Sequence, residues 1–345
     1  MIWLSWRQFR IQAVVAACVL AAFAVVLLIS GLSLAHLYAT SGLPGCRSHH
    51  DCPEKLMLFG AQVKGSIYQA IFYFAVLLAY AAPALIGIFW GATLIAREFE
   101  TGTFRLAWTQ SISRNRWLLV KVGLVGLAAM VVAGLMSLMV NWWIKPVFQA
   151  AQFAPSRGAL SINRLSPLLF GVLGITPIGY AAFAFALGLT AGVLIRRTIP
   201  AMAVTLGGFA FVELAWLNLV RPHLLAPVRA IGPLNTSDIS GLFIGNDNVM
   251  TILPGTDKPS AWILSDQSIN AAGRPFSGPA THACLDGSMQ ACGASLAPLH
   301  IRQLLVYEPA SRYWPLQSYE TAIFLVVAIA LALFCLTRIS RRRFA

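Results

Sequence analysis

The sequence predicts an all-α membrane protein of six transmembrane helices with both termini in the cytosol. Three observations carry that prediction. Hydrophobic residues make up 58% of the 345, charged residues only 11%, and the mean hydropathy is +0.73; a soluble globular domain has no use for so much apolar surface. Six stretches are nearly free of charge and, at about 1.5 Å per residue, long enough to cross a hydrocarbon layer of roughly 30 Å. Basic residues gather at alternate ends of those stretches, as the positive-inside rule requires.

The N-terminal MIWLSWRQFR sets Trp3, Trp6 and Phe9 against Arg7 and Arg10, a pattern for an amphipathic helix lying in the interface and leading into the first span. Ala13 to Leu34 is uncharged and longer than the apolar centre of a signal peptide, so it reads as an anchor. The second span runs from Gln69 to Ile95; Pro83 predicts a kink, and Gly87 and Gly91, four apart, expose backbone for a close helix contact. Trp117 to Trp143 forms the third. Leu168 to Ile195 forms the fourth, with a kink expected at Pro177 and the small-residue spacing repeated at Gly188 and Gly192. The fifth, Ile199 to Val220, opens with Pro200, whose fixed φ suits a first helical turn. Thr321 to Thr337 is the sixth. Residues 1–220 thus hold the interface helix, five spans and a cytosolic insert at 97–121; residues 221–320 form a large extracellular loop domain, and residues 321–345 form the last span and a basic tail.

With both ends cytosolic, the inner segments hold 13 Lys or Arg in 45 positions, against 12 in 151 positions outside. The tail residues Arg338, Arg341, Arg342 and Arg343 act as a topological stop attracted to anionic lipid, so the net charge of +13 needs no nucleic-acid partner. Cysteines fit the same orientation. Cys18 and Cys335 fall inside spans, while Cys46 with Cys52 and Cys284 with Cys292 form two close pairs on the outer side, where disulfides persist. Cys46, His49, His50, Asp51 and Cys52 also admit a metal site, but all five lie in one short loop without a distant ligand, and the disulfide reading is preferred with no metal assigned.

The outer segment is rich in Gly, Pro, Ser, Asn and Asp between short apolar runs such as Gly241–Ile244 and Ala261–Leu264. It predicts a small disulfide-pinned cap of short strands and turns, with a helix near Pro298 to Tyr307. Within the spans, Glu213 is the conspicuous ionisable residue. A carboxylate in hydrocarbon is costly, so it faces a cavity or a partner; Arg221, a turn or two further on, and local water are its nearest means of relief, and a cationic cargo is the functional alternative.

Between the second and third spans lies REFETGTFRLAWTQSISRNRWLLVK, from Arg97 to Lys121. Gly102 lets the chain leave the preceding helix through a left-handed conformation, Thr101 or Thr103 caps a new one, and a short helix over Phe104 to Gln110 presents Leu106, Ala107 and Trp108 as an apolar knob flanked by arginines. An exposed Trp and Phe beside arginine suit a soluble partner; a Trp resting at the headgroups is the plainer alternative. The run Ala96 to Thr103, followed by an arginine-bearing turn and a lysine opening the next helix, resembles the signature of type-2 ABC export permeases. The dense match covers about 25 residues, from Arg97 to Lys121, and the six-span layout extends the likeness in architecture alone.

That resemblance implies a permease subunit of a bacterial ABC exporter in the inner membrane. A second permease copy or a homologue completes the substrate path, and two cytosolic ATPase subunits bind ATP and Mg. It makes the short helix the coupling helix and gives Arg97, Glu98, Glu100, Gly102, Thr103, Phe104, Arg105, Trp108, Arg114 and Arg116 the task of coupling to the ATPase, with the two acids paired to Arg97, Arg105 or the partner's side chains. It also turns Glu213, Phe72 and Phe209, on spans two and five, into candidate path residues; packing and lipid contact are the ordinary roles of such phenylalanines. The chain has no Gly-Lys-Ser or Gly-Lys-Thr and no His-Glu-x-x-His, so it is not expected to be an enzyme, nor to hold a cofactor of its own. The rival class is a non-transporting membrane sensor or assembly protein that binds a ligand or partner through the outer domain.

Overall fold

The computed structural model describes residues 2–46, 53–102, 114–153, 162–234, 239, 241–245, 249–255, 258, 260–279, 281–285 and 289–341. Among the described residues six helices are long and apolar enough to cross a membrane: Phe9–Thr40, Ile67–Thr101, Leu118–Ala151, Thr176–Ile195, Thr198–His223 and Ala310–Ser340, spans one to six below. Spans two and three, and spans four and five, are joined at one end of the bundle, here the insert end. The segment between spans five and six lies at the other, the cap end.

The first helix is continuous from Ile2 to Thr40, so the amphipathic N-terminus and the first span are one rod. No Gly or Pro interrupts residues 2–30, which explains the fusion. Phe9, on the sequence-predicted interface segment, is buried edge-to-face on Trp90 of span two, with ring centroids 4.9 Å apart. Pro83 sits inside the helix Ile67–Ile86, and the departure from α geometry falls just after it, as a π-helical stretch over Gly87–Ala92. A wider turn frees a carbonyl. The Phe89 carbonyl accepts from Gln12 Nε2 of span one at 3.1 Å.

Span four begins later than its sequence suggests. A short helix, Pro167–Phe170, stops at Gly171, and the span restarts at Thr176 with Pro177 in its first turn, where a missing N–H costs nothing. The expected kink at Pro177 is therefore absent because the helix starts there. Span four is the most enclosed of the six, with 72% of its apolar window buried.

The two glycine pairs read from sequence meet each other. A Cβ at Gly91 would stand 2.5 Å from the Phe185 carbonyl oxygen, one at Gly87 would stand 2.7 Å from that of Ala184, and one at Gly192 would stand 2.7 Å from that of Ala92. A Cβ at Gly188 would collide with the Gly87 carbonyl. Backbones this close gain dispersion along the whole seam, which is the main attraction available between helices in lipid. Ile86, Trp90, Ala181 and Phe185 pack beside the seam, with Phe9 completing the cluster from span one.

The chain is mostly helical, and not wholly so, because the cap is built of strands. β1 (Val228–Pro233), β6 (Arg302–Glu308) and β4 (Trp262–Ile269) form one antiparallel sheet in the order β1-β6-β4; β2 (Gly241–Ile244), β3 (Val249–Leu253) and β5 (Gly278–Pro279) form a second in the order β2-β3-β5. The helix expected near Pro298 to Tyr307 is β6 instead: its Leu304-Leu305-Val306-Tyr307 run is β-prone and lies between two partner strands. Cys284 and Cys292 are disulfide-bonded between the helices His282–Leu285 and Met289–Leu296. Cys46 is disulfide-bonded as well; Cys52, with His49, His50 and Asp51, lies outside the described residues. Trp262 packs with Leu165, Phe170, Tyr313 and Leu316, which seats the cap on the segment leading into span four and on the start of span six.

The seam makes a sharp prediction. Gly188→Ala is expected to lower the thermal midpoint of the detergent-solubilised protein by many degrees or to abolish folding. Gly207→Ala, whose added Cβ meets nothing within 4 Å, should leave it unchanged or raise it slightly. Equal melting of the two variants contradicts the backbone contact.

Candidate functional site

Three consecutive residues at the end of span two each take hold of a different part of the bundle. Glu98 pairs with Lys121 of span three, the lysine side chain being only 5% exposed. Phe99 lies under the Arg196 guanidinium, 5.6 Å from the ring centroid. Glu100 accepts from the backbone N–H of Thr198 at 2.9 Å and from its hydroxyl. Successive helical residues point about 100° apart, so one turn of span two can reach three neighbours at once.

Each hold has a local cause. Arg196 is left-handed, with φ 58, and closes the last turn of span four through its N–H to the Gly192 carbonyl at 3.0 Å; only Arg197 then separates it from span five. Thr198 is the first helical residue of span five, and its N–H is one of the donors a helix start leaves without an internal partner. The Glu100 carboxylate satisfies that donor from another helix and places negative charge at the positive end of span five's dipole. Glu100 is exposed, so this contact fixes direction more than it adds stability. Among the described residues the two acids are held by Lys121 and Thr198; Arg105 lies outside the described residues.

Gly102 ends span two with φ 71, the left-handed exit read from the sequence. Thr103, Phe104, Arg105 and Trp108 lie outside the described residues; Arg114 opens the third long helix and Arg116 is exposed on it. Beside the hooks, Arg97, Glu98, Glu100, Lys121 and Thr198 line a cleft of about 760 Å³ together with Phe9.

A second polar centre lies in the cap-end half of the bundle, where sequence reading had placed loop. Span six begins well before Thr321, so Gln317 and Glu320 are helical and fully buried. Gln317 Oε1 accepts from the N–H groups of Ile175 at 3.0 Å and Thr176 at 2.9 Å and from the Thr176 hydroxyl; its Nε2 donates to the carbonyls of Phe170 and Leu173. One amide therefore serves the broken start of span four, whose free backbone groups lipid would leave unpaired. One turn on, Glu320 takes Arg221 in a two-pronged pair, with Nε at 3.0 Å and Nη2 at 2.8 Å. Tyr180 of span four donates to Glu320 and accepts from Arg221 Nη2 at 2.7 Å. The guanidinium also lies 4.8 Å over the Phe170 ring.

Glu213 borders this centre, with Tyr180 within its hydrogen-bonding reach and Arg221 and Glu320 acting on it through their charges. Arg221, the counter-ion its sequence offered, is committed to Glu320 and Tyr180. Among the described residues the buried Glu213 Oε2 has no partner. Phe209 is buried against Phe183, at 6.3 Å between centroids, and Phe72 is half-buried, edge-to-face with Tyr73 at 5.3 Å. Phe211 and Phe74, by contrast, are 73% and 56% exposed and face away from the bundle. The Glu320 and Gln317 roles escaped sequence reading because both were counted within the polar outer segment; the signal was there as Gln317 and Glu320 three apart, continuing the helical face of Phe324.

A family model described as ABC-2 membrane transporter related matches residues 17–221, well over half of the chain. The chain belongs to that family. The match runs from within span one to Arg221 near the end of span five, so it takes in the insert and leaves out the cap and span six. No curated protein and no solved structure matches the chain. This ABC-2 protein is a multi-pass membrane protein with the architecture of a permease, a membrane component that is not itself an ATPase.

The buried pair yields a second prediction. Arg221→Met alone should destabilise the protein by about 3–5 kcal/mol, because it strands Glu320 in a dry interior. Arg221→Met with Glu320→Leu should recover most of that loss. Thermal unfolding of the two variants decides it, and a double variant no more stable than the single one contradicts the pairing.

Proposed function

We propose that the chain is the membrane-spanning half of an ATP-driven exporter. It pairs with a second copy or a homologous permease, and two cytosolic ATPase subunits bind ATP and magnesium on its behalf. Family membership supports the permease part of this reading. The observation that carries the rest is the triple hold at the end of span two, which ties the charged insert to the starts of spans three and five and to the turn between spans four and five.

In this mechanism the insert faces the cytosol of a bacterial inner membrane, consistent with the density of Lys and Arg at that end. Closure of the ATPase dimer pushes the segment around Phe104, Arg105 and Trp108, with Arg114 and Arg116 as further contacts. Gly102 and Thr103 shape the elbow. Arg97 stands at its base in the cleft, and Glu98 and Glu100 pass the displacement to spans three and five. Spans two and four, locked along the glycine seam, follow as one body. The path opens between the two permease halves, along the faces of spans two and five, with Glu213 on that route and Phe72 and Phe209 backing its wall. Cargo leaves outward past the disulfide-pinned cap.

Glu100→Ala and Trp108→Asp test the coupling. Both variants are expected to reach the membrane at the normal level and to leave ATP hydrolysis by the co-purified ATPase in place. Export of a compound that stimulates hydrolysis should fall by about tenfold or more. Undiminished export by both variants, measured in reconstituted vesicles, contradicts the coupling role.

A further inference from the structure

The cap meets the bundle around a cavity of about 330 Å³ that belongs to neither polar centre described above. Phe148 and Gln152 at the end of span three, Arg164 on the segment before span four, Ser260 of the cap, and Tyr313 and Trp314 at the start of span six line it. Its walls are fixed to one another. Asn163, next to Arg164, donates through Nδ2 to the Ala261 carbonyl of the cap at 3.0 Å, and Trp262 packs on Tyr313. A cavity of this size, partly apolar and with a few fixed polar groups, is the usual form of a small-ligand site.

Charge decides what it takes. Arg164 is the one charged residue of the lining among the described residues, and no carboxylate stands there to answer it. Its guanidinium lies over the Phe148 ring, 5.3 Å from the centroid. Stacking of this kind holds the plane of an arginine in place and leaves its N–H edge for an acceptor, a geometry that suits phosphate. The same contact occupies the ring face that an ammonium would need, so the ligand is an anion.

Depth decides where the anion comes from. The apolar run of span three ends at Trp143, with Lys145 exposed just after it, and Phe148 stands five residues beyond, about 7.5 Å further along the helix. The apolar run of span six opens at Thr321, and Trp314 stands seven residues before it, about 10 Å away. Both rises put the cavity at the level of the lipid headgroups, just outside the hydrocarbon layer. Trp314, 57% exposed, is a side chain suited to that layer.

We propose that this cavity binds the phosphodiester headgroup of an anionic phospholipid from the leaflet on the cap side. The phosphate takes the N–H edge of Arg164, Ser260 and Gln152 offer further donors, and Trp314 lies beside the first carbons of the acyl chains. Because the walls come from spans three and six, the segment before span four and the cap, the bound headgroup fastens the cap to the bundle. The inference stands apart from the coupling reading, and its test needs no ATPase.

Thermal unfolding of the full chain in a neutral detergent, titrated with dihexanoyl phosphatidylglycerol, reads the binding. Dihexanoyl phosphatidylcholine and free glycerol phosphate are the comparators. The midpoint is expected to rise by about 3 °C or more and to saturate with phosphatidylglycerol, and to move by less than about 1 °C with either comparator. Arg164→Gln should abolish the rise. Arg229→Gln, which removes an exposed cap charge outside the lining, should keep it. No rise, a rise that does not saturate, an equal rise with phosphatidylcholine, a full rise in Arg164→Gln or a lost rise in Arg229→Gln overturns the proposal. An equal rise with glycerol phosphate overturns the lipid as the occupant. The comparison between lipids is read on wild-type protein and stands even where a variant fails to fold.

Discussion

The contact on which the rest of this structure depends is the meeting of two backbones. In hydrocarbon, apolar side chains gain nothing by leaving lipid for one another, so helices associate where their surfaces come closest. Spans two and four do this at Gly87, Gly91, Gly188 and Gly192, where a methyl group on any of the four would press into the opposite main chain. The approach coincides with the π-helical turn of span two. A wider turn there brings the Gly87 carbonyl against span four and turns the Phe89 carbonyl towards Gln12 of span one, so a single irregularity serves two neighbours.

Polar residues then fasten the ends of this seam. At the insert end, Glu98, Phe99 and Glu100 hold Lys121, Arg196 and Thr198. At the cap end, Gln317 and Glu320 of span six hold the restarted helix of span four and Arg221 at the end of span five. Both arrangements solve one problem. A helix start or a broken helix inside a membrane has donors and acceptors that lipid cannot satisfy, and a side chain from another span satisfies them. The result is a bundle whose spans are joined at their termini and welded in the middle, which suits a body that transmits force without deforming.

The sequence made the spans, the charge asymmetry and the Gly102 exit legible, because each depends on local composition or on a single residue's allowed conformations. It also showed both glycine pairs, though not that they face each other, since a spacing of four names a face without naming its partner. The hooks were half visible. Glu98 and Glu100 stood out as acids in a basic insert, but Lys121 and Thr198 are brought to them only by the fold. Gln317, Glu320 and Arg221 were misplaced in the outer segment because polarity marked the end of hydropathy, whereas in the structure those polar side chains bury one another. The same error hid the surroundings of Glu213: Arg221, its nearest cation along the chain, makes its bidentate pair with another carboxylate in space. The cap's β6 was read as helix because its apolar run is too short for periodicity to distinguish the two.

The claim that most needs a direct measurement is that spans two and four move as one body when the insert is displaced. Nitroxide labels at Leu85 and Leu194, exposed positions on the two spans, report it through the distance between them in the proposed complex with an ATPase. One narrow distance distribution, the same before and after ATP is added, is what a backbone-to-backbone seam predicts. A shifted distribution, or a second population that grows with ATP, would mean that the seam opens during the cycle and that force reaches the path by another route.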